Sequence, residues 1–243
     1  MILLVDAGNS RIKSARSADG DITLLEPVPT ASREPPAAWC ELDPPQRVLV
    51  SSVAGADVGA MIRQWVKQLW SLDAAFASVR ESAAGMTTRY DKPSQLGVDR
   101  WLAAIAGYHL AGGAACVIDA GTALTIDIVD QAGVHLGGTI APGLALMVDS
   151  LTRNTAQLQL DAFTPGDAIA TNTAAAISGG CRDAFAGGIE RMYAKTTCEL
   201  GADIPCFVTG GEAGVIMDSC ALPLRAVPDL VLRGLALAAG VTT

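Results

Sequence analysis

Histidine is almost missing from this chain, with two residues in 243, and its six cysteines include no CxxC pair. A tetrahedral metal centre draws on such ligands at short spacing, so zinc is not expected. Cys40, Cys116, Cys181, Cys198, Cys206 and Cys220 lie in several cases inside apolar segments and read as reduced core thiols. Long apolar runs are also lacking. The most apolar later stretch, Leu230 to Val241, is interrupted by Arg233 and is too short to span a bilayer. No basic region precedes the opening apolar run, which stops at Asp6, so no signal peptide is read. Positive charge is scarce as well: 17 Lys and Arg face 25 Asp and Glu, for a formal charge of −8. That balance, without any basic cluster, disfavours nucleic acid or an anionic membrane as the main partner. There is no GxxxxGK[ST] sequence, and no GxGxxG opens a helix after a strand, so the two commonest nucleotide loops are excluded. The expectation is a soluble cytoplasmic protein.

Half of the chain is apolar and 17% is charged, enough for one large domain or two small ones. The segment expected to be disordered, if any is, is the Pro-rich Glu34 to Pro45. The informative stretch is the first thirteen residues. The apolar run Ile2 to Val5 ends in Asp6, a small-residue turn follows (Ala7, Gly8, Asn9, Ser10), and Arg11, Ile12 and Lys13 open a second segment. This is a buried strand entering a tight turn. At such a turn Asp6 can hold a divalent metal, and Ser10 and Lys13 can reach phosphate oxygens. Equally, it can be a plain hairpin whose Asp and Asn suit turn geometry.

Residues 2–6, 11–16 and 22–25 read as three short strands, with 47–51 a fourth and 75–79 a further candidate. Val58, Met61, Ile62, Trp65, Val66 and Leu69 recur at the spacing of an amphipathic helix. Trp101 to Leu110 reads as an Ala-rich helix. Then the opening pattern returns: Cys116 to Thr122 (CVIDAGT) repeats Leu3 to Asn9 (LLVDAGN), and at the same register Gly133 falls on Gly20. A strand, Asp-Ala-Gly, a second strand and a turn glycine in constant register indicate an internal duplication. The chain is therefore expected to be α/β, with two related domains divided near Ala111 to Gly113, as 1–111 and 112–243. The second half is expected to hold a helix from about Leu144 to Leu160. An Ala/Thr-rich helical region from Asp167 to Thr196 should be broken near Gly179 and Gly180. A strand ending in Thr209-Gly210-Gly211 and a helix from Leu230 complete it.

Two such turns facing each other would clamp a polyphosphate, with Asp6 and Asp119 as carboxylates for cations and Ser10 and Thr122 as hydroxyls for phosphate. Phosphoryl transfer asks little covalent chemistry of a protein beyond metal, positioning and a proton acceptor. His109 and His135 are poorly placed for that role, the first on an apolar helix and the second in a strand, so a carboxylate must serve. Asp99 is the best candidate, beside Arg100, which can hold an anionic substrate. The alternative is that Asp99 simply favours a helix first turn through the macrodipole. Tyr90 is either a substrate contact or a loop aromatic, Trp65 and Trp70 are core or interface residues, and Thr173 reads as a packing residue.

Taken together, Asp6 to Lys13, Gly97-Val98-Asp99-Arg100, Asp119 to Thr122, Gly137 to Gly143 (GGTIAPG) and Thr209 to Gly211 occur in an order that resembles the type III pantothenate kinases, over essentially the whole chain. That family belongs to the acetate and sugar kinase/Hsp70/actin superfamily. The resemblance implies two related ribonuclease-H-like (actin-like ATPase) domains with a duplicated βββαβα core. It further implies ATP-dependent phosphorylation of pantothenate to 4'-phosphopantothenate, the first committed step towards coenzyme A, with Mg2+. Asp6, Ala7, Gly8, Asn9, Ser10, Arg11, Ile12 and Lys13 would then bind ATP, together with Thr122. Tyr90, Gly97, Val98, Asp99, Arg100 and Thr173 would bind pantothenate, which replaces the packing role for Thr173. Asp99 would be the proton acceptor, and Asp119 would hold the monovalent cation, K+ or NH4+. A homodimer is implied too. Ser10 stands where the family has Thr, and the hydroxyl is kept. A kinase for another small hydroxy acid or sugar would share the phosphate turns but not Gly97 to Arg100 with Tyr90. A regulatory accessory protein of the same fold is the alternative from a different class.

Overall fold

The computed structural model describes residues 1–153 and 169–241. Residues 154–160 of the helix expected from Leu144 to Leu160, and 167–168 at the start of the next, lie outside the described residues. The chain divides into two units: Met1–Ala114, Val129–Gly137 and Asp229–Thr243 in the first, Ala115–Ile128 and Gly138–Pro228 in the second.

In the first unit, strand β1 (Ile2–Ala7) runs antiparallel to β2 (Arg11–Ala18), which pairs antiparallel with β3 (Asp21–Leu24) and with the short β4 (Val28–Pro29). After the short helix α1 (Ala37–Cys40), β5 (Arg47–Ser52) lies parallel to β1, and β6 (Ala74–Phe76) lies parallel to β5 across helix α2 (Ala56–Trp70). The sheet order is β3-β2-β1-β5-β6. Because β1 is covered on both faces, its sequence is a continuous apolar run rather than an alternation. Leu3, Val5 and Ala7 face one way, into a core with Ile12, Val48, Val50, Ile62, Trp65 and Trp39. By strand alternation Leu4 and Asp6 face the other.

A small hairpin, β7 (Ser82–Ala83) and β8 (Met86–Thr88), precedes helix α3 (Val98–Ala111). Arg100 and every residue from Trp101 to Gly107 are buried, as expected of a helix that is apolar nearly all round.

In the second unit, β9 (Ala115–Ala120), β10 (Ala123–Val129) and β11 (Val134–Pro142, within this unit from Gly138) are followed by α4 (Leu144–Arg153) and α5 (Thr173–Leu200). Then come β12 (Cys206–Thr209), α6 (Ala213–Ser219) and β13 (Leu224–Ala226). The order is β11-β10-β9-β12-β13, with β9, β12 and β13 mutually parallel. With the short β4 left aside, each unit lays out its strands as third, second, first, fourth, fifth. This is the duplicated arrangement that the repeat implied.

Helix α7 (Leu230–Ala238) returns to the first unit, where it packs on α3, β1 and β5. The first unit is therefore built from segments that are not contiguous in sequence. Gly234 makes that return possible: a Cβ there would overlap the Leu102 carbonyl.

Two expectations are corrected. Glu34 to Pro45 is ordered, because Trp39 on α1 is wholly buried, donates its indole N–H to Ser14 Oγ at 2.9 Å, and meets Trp65 edge-on at 6.2 Å. Helix α5 runs unbroken through Gly179 and Gly180. Its buried stripe of Ser178, Cys181, Phe185, Ile189 and Tyr193 holds it helical against the roughly 1 kcal/mol cost of each glycine.

All six cysteines are free thiols. Hydrogen bonding to Cys206 and burial hold the Cys116 thiol well above its ordinary value, and burial, with nearby Glu190, pushes Cys220 up to about 11. Neither is a nucleophile near neutral pH. Among the described residues no helix is long and apolar enough to cross a membrane.

Candidate active site

The β1–β2 turn is closed by the Gly8 N–H, which donates to the Arg11 carbonyl at 3.0 Å. That amide is used within the hairpin, so the turn offers outward the exposed Asn9, Ser10 and Arg11. Behind them Asp6 is 8% exposed, and its Cα partner across the strand pair is Lys13, which sets a carboxylate and an ammonium on neighbouring strands. Thr30 clamps the turn from the side: its hydroxyl donates to the Gly8 carbonyl at 2.7 Å and its N–H to the Ser10 carbonyl at 3.0 Å. No motif pointed to Thr30, because this contact joins residues twenty-two apart through a two-residue strand.

In the same unit, Asp99 sits in the first turn of α3. Its carboxylate Oδ1 accepts from the Arg100 N–H at 2.8 Å, so it does cap its own helix start, and it remains half-buried rather than sealed. Gly97 leaves room beside it: a Cβ there would lie 2.6 Å from Asp99 Oδ1, so a side chain at 97 would displace the carboxylate. The Arg100 guanidinium, on a residue only 7% exposed, donates to the Tyr90 hydroxyl at 3.1 Å and lies 6.0 Å from the ring centroid. Tyr90 is therefore no idle loop aromatic: it and Arg100 form one unit at the head of α3.

The second unit builds its own turn from three segments. The Gly121 N–H donates to the Ala123 carbonyl at 3.1 Å, leaving Thr122 exposed and Asp119 half-buried at the end of β9. The Gly143 N–H donates to the Thr122 carbonyl at 3.0 Å, and a Cβ on Gly143 would overlap the Gly121 carbonyl. From the third segment, Gly210 (φ +98°) stands where a Cβ would overlap Ala120. Asp119 is in register with Thr209 on the neighbouring strand, as Asp6 is with Ser51 in the first unit. Each first-strand aspartate is thus in register with a hydroxyl residue on the parallel strand beside it, β5 or β12.

Glu212 ties these segments together and was not foreseen. Its N–H donates to the Ala120 carbonyl at 2.9 Å, while its carboxylate accepts from the Leu144 and Ala145 amides at 2.8 Å each, capping α4. Glu212→Ala is expected to cost about 1–2 kcal/mol in urea unfolding, through the lost charged cap. It should also raise the KM for nucleotide several-fold while leaving that for the acceptor alone. An unchanged nucleotide KM would limit Glu212 to stability.

Thr173 is exposed at the first position of α5, whose N-cap Asn172 accepts from the Ala175 N–H at 2.9 Å. It is not packed, which corrects the reading of its residue type alone. Of the expected site residues, the first unit brings together Asp6 with Lys13 and the turn between them, and separately Tyr90 with Gly97 to Arg100. Asp119, Thr122 and Thr173 belong to the second unit.

A family model described as type III pantothenate kinase matches residues 2–195. A type III pantothenate kinase of Aromatoleum aromaticum is 40% identical over 98% of this chain and 98% of its own length. One from Nitrosococcus oceani is 36% identical, over 97% and 92%. Among solved structures, a putative Baf family transcriptional activator from Campylobacter jejuni superposes with a TM-score of 0.59 at 21% identity, covering 96% of this chain and 94% of that one. A putative 2-dehydro-3-deoxygalactonokinase from Sinorhizobium meliloti gives 0.55 at 17%, over 98% and 96%. At those identities the two structures speak to the fold alone.

Proposed function

The chain belongs to the type III pantothenate kinase family, and from that premise we propose how its residues divide the work of phosphorylating pantothenate with ATP in coenzyme A biosynthesis. The observation that carries the division is the Tyr90–Arg100 pair at the head of α3, with Asp99 in the same helical turn. Pantothenate is a carboxylate with a primary hydroxyl. Arg100 and Tyr90 hold the anion, with Gly97, Val98 and Thr173 as further contacts. Asp99 accepts the proton as the hydroxyl oxygen bonds to the γ-phosphorus of ATP and ADP leaves.

Asp6 to Lys13 and Thr122 contact the nucleotide. Among the described residues no cluster of three or more His, Cys, Asp or Glu is gathered to hold a metal. Asp6, a single nearly buried oxygen donor at a strand end, suits Mg2+, which favours one or two carboxylates plus phosphate oxygens. When bound, the ion offsets charge on the phosphates. Asp119, another hard oxygen donor, suits K+ or NH4+. We place the enzyme in the cytoplasm as a homodimer. Ile140, Leu146 and Leu151, exposed on β11 and α4, support a subunit contact.

The purified protein should form phosphopantothenate from MgATP and pantothenate, faster with K+ or NH4+ present. Absence of product with either cation would overturn the reading. Product formation indifferent to both would remove the cation from Asp119.

A further inference from the structure

His135 was set aside above as poorly placed for catalysis, yet it is wholly buried at the centre of the Tyr90 cluster. Histidine is not a residue that usually fills a core, so full burial points to a specific set of contacts. Strand β11 begins beside β8, in the register Val134↔Thr87 and His135↔Thr88. This brings the imidazole under the segment leading to Tyr90, and the His135 carbonyl accepts the Arg89 N–H at 3.0 Å. The ring stacks on Tyr90 with centroids 5.8 Å apart and planes 29° apart, while Trp101 of α3 meets its edge at 6.2 Å and 81°. Nδ1 lies 3.3 Å from Thr88 Oγ1, and that same oxygen accepts the Tyr90 N–H at 3.2 Å. With Nδ1 as acceptor, a hydrogen-bond chain runs from the Tyr90 amide through the Thr88 hydroxyl to the imidazole. Tyr90 is thus held at its backbone by Thr88 and at its ring by His135. Its hydroxyl is left to accept from Arg100.

We propose that His135 is a positioning residue for the acceptor site, setting the plane of Tyr90 so that the Tyr90 hydroxyl and the Arg100 guanidinium present one preformed cradle to the pantothenate carboxylate. This rests on the reading of Tyr90 and Arg100 as pantothenate contacts. His135 itself touches neither substrate, being sealed behind Tyr90. Its effect must therefore appear in acceptor binding and not in nucleotide binding. A flat filler would keep the stack, but it would leave the Thr88 hydroxyl without its ring partner and so loosen the hold of Thr88 on the Tyr90 backbone.

The test is steady-state kinetics on full-length protein, with wild type assayed alongside. His135→Phe keeps a flat ring for the stack while removing Nδ1, and should raise the pantothenate KM about tenfold. His135→Ala should raise it about 10–100-fold, the scale of a displaced positioning group. In both, the KM for ATP should hold within about threefold and kcat should fall far less than pantothenate affinity. A purely structural role would instead lower the melting temperature and the active fraction with both KM values intact. In a Tyr90→Ala background the His135 substitutions should cost less than about twofold, because the residue through which they act is gone. An unchanged pantothenate KM in folded His135→Phe, or penalties that add fully in the Tyr90→Ala background, would overturn the proposal. Failure of wild type to use pantothenate would strike the reading beneath it instead.

Discussion

Asp99→Asn is expected to lower the rate of phosphopantothenate formation by about 10²–10⁴-fold, the usual worth of a positioned proton acceptor. That is about 3–5 kcal/mol of transition-state stabilisation. The substitution separates the two roles that Asp99 plays in the structure. As a helix residue it accepts the Arg100 N–H through Oδ1, and the amide oxygen of asparagine can do the same. As a base it takes a proton, which the amide cannot. Stability should therefore change by less than about 1 kcal/mol, the worth of a charge in a first turn, while turnover collapses. Nucleotide binding, measured by titration with a non-hydrolysable ATP analogue, should persist, because Asp99 is in the acceptor cluster and not in either phosphate turn. Near-normal turnover in the folded variant would leave Asp99 as a helix residue and nothing more.

Gly234→Ala should be the most damaging methyl in the first unit. Its Cβ would overlap the Leu102 carbonyl, a backbone atom that no rotamer change can move aside. Either α7 lifts off or α3 shifts, and both helices are buried along this contact. Overpacking of this kind costs about 3 kcal/mol or more where the neighbour is rigid. Urea unfolding should show a lower midpoint with an unchanged slope, and a variant as stable as wild type would mean that the two helices can part without cost. Because α3 carries Asp99 and Arg100 at its head, the folded fraction should also bind pantothenate less well.

What could be read from the chain beforehand follows a physical line. The strands, the α2 stripe, the Ala-rich α3 and the duplication were visible because periodicity and repetition are local properties of the sequence. The Asp6 turn and its copy at Asp119 were found for the same reason. Residues that act by meeting something distant were not. Thr30, Glu212 and His135 each sit in unremarkable sequence, and each gains its role from a partner brought close only by folding. Trp39 was hidden by its prolines, whose composition suggested a loop although one aromatic anchor suffices to order the segment. The glycines of α5 misled in the opposite direction, since tertiary packing overrode their low propensity.

The route of the chain also has a consequence for biogenesis. On the ribosome, β1, β5 and α3 emerge early, but the helix that covers them is made last among the described elements, after the whole second unit. Until α7 arrives, the nascent first unit carries an unshielded apolar face. The inserted second unit can close its sheet first, so the later-made part of the molecule is the one equipped to fold ahead of the earlier-made part. Arrested or prematurely terminated chains lacking α7 are therefore natural clients for chaperones and proteases.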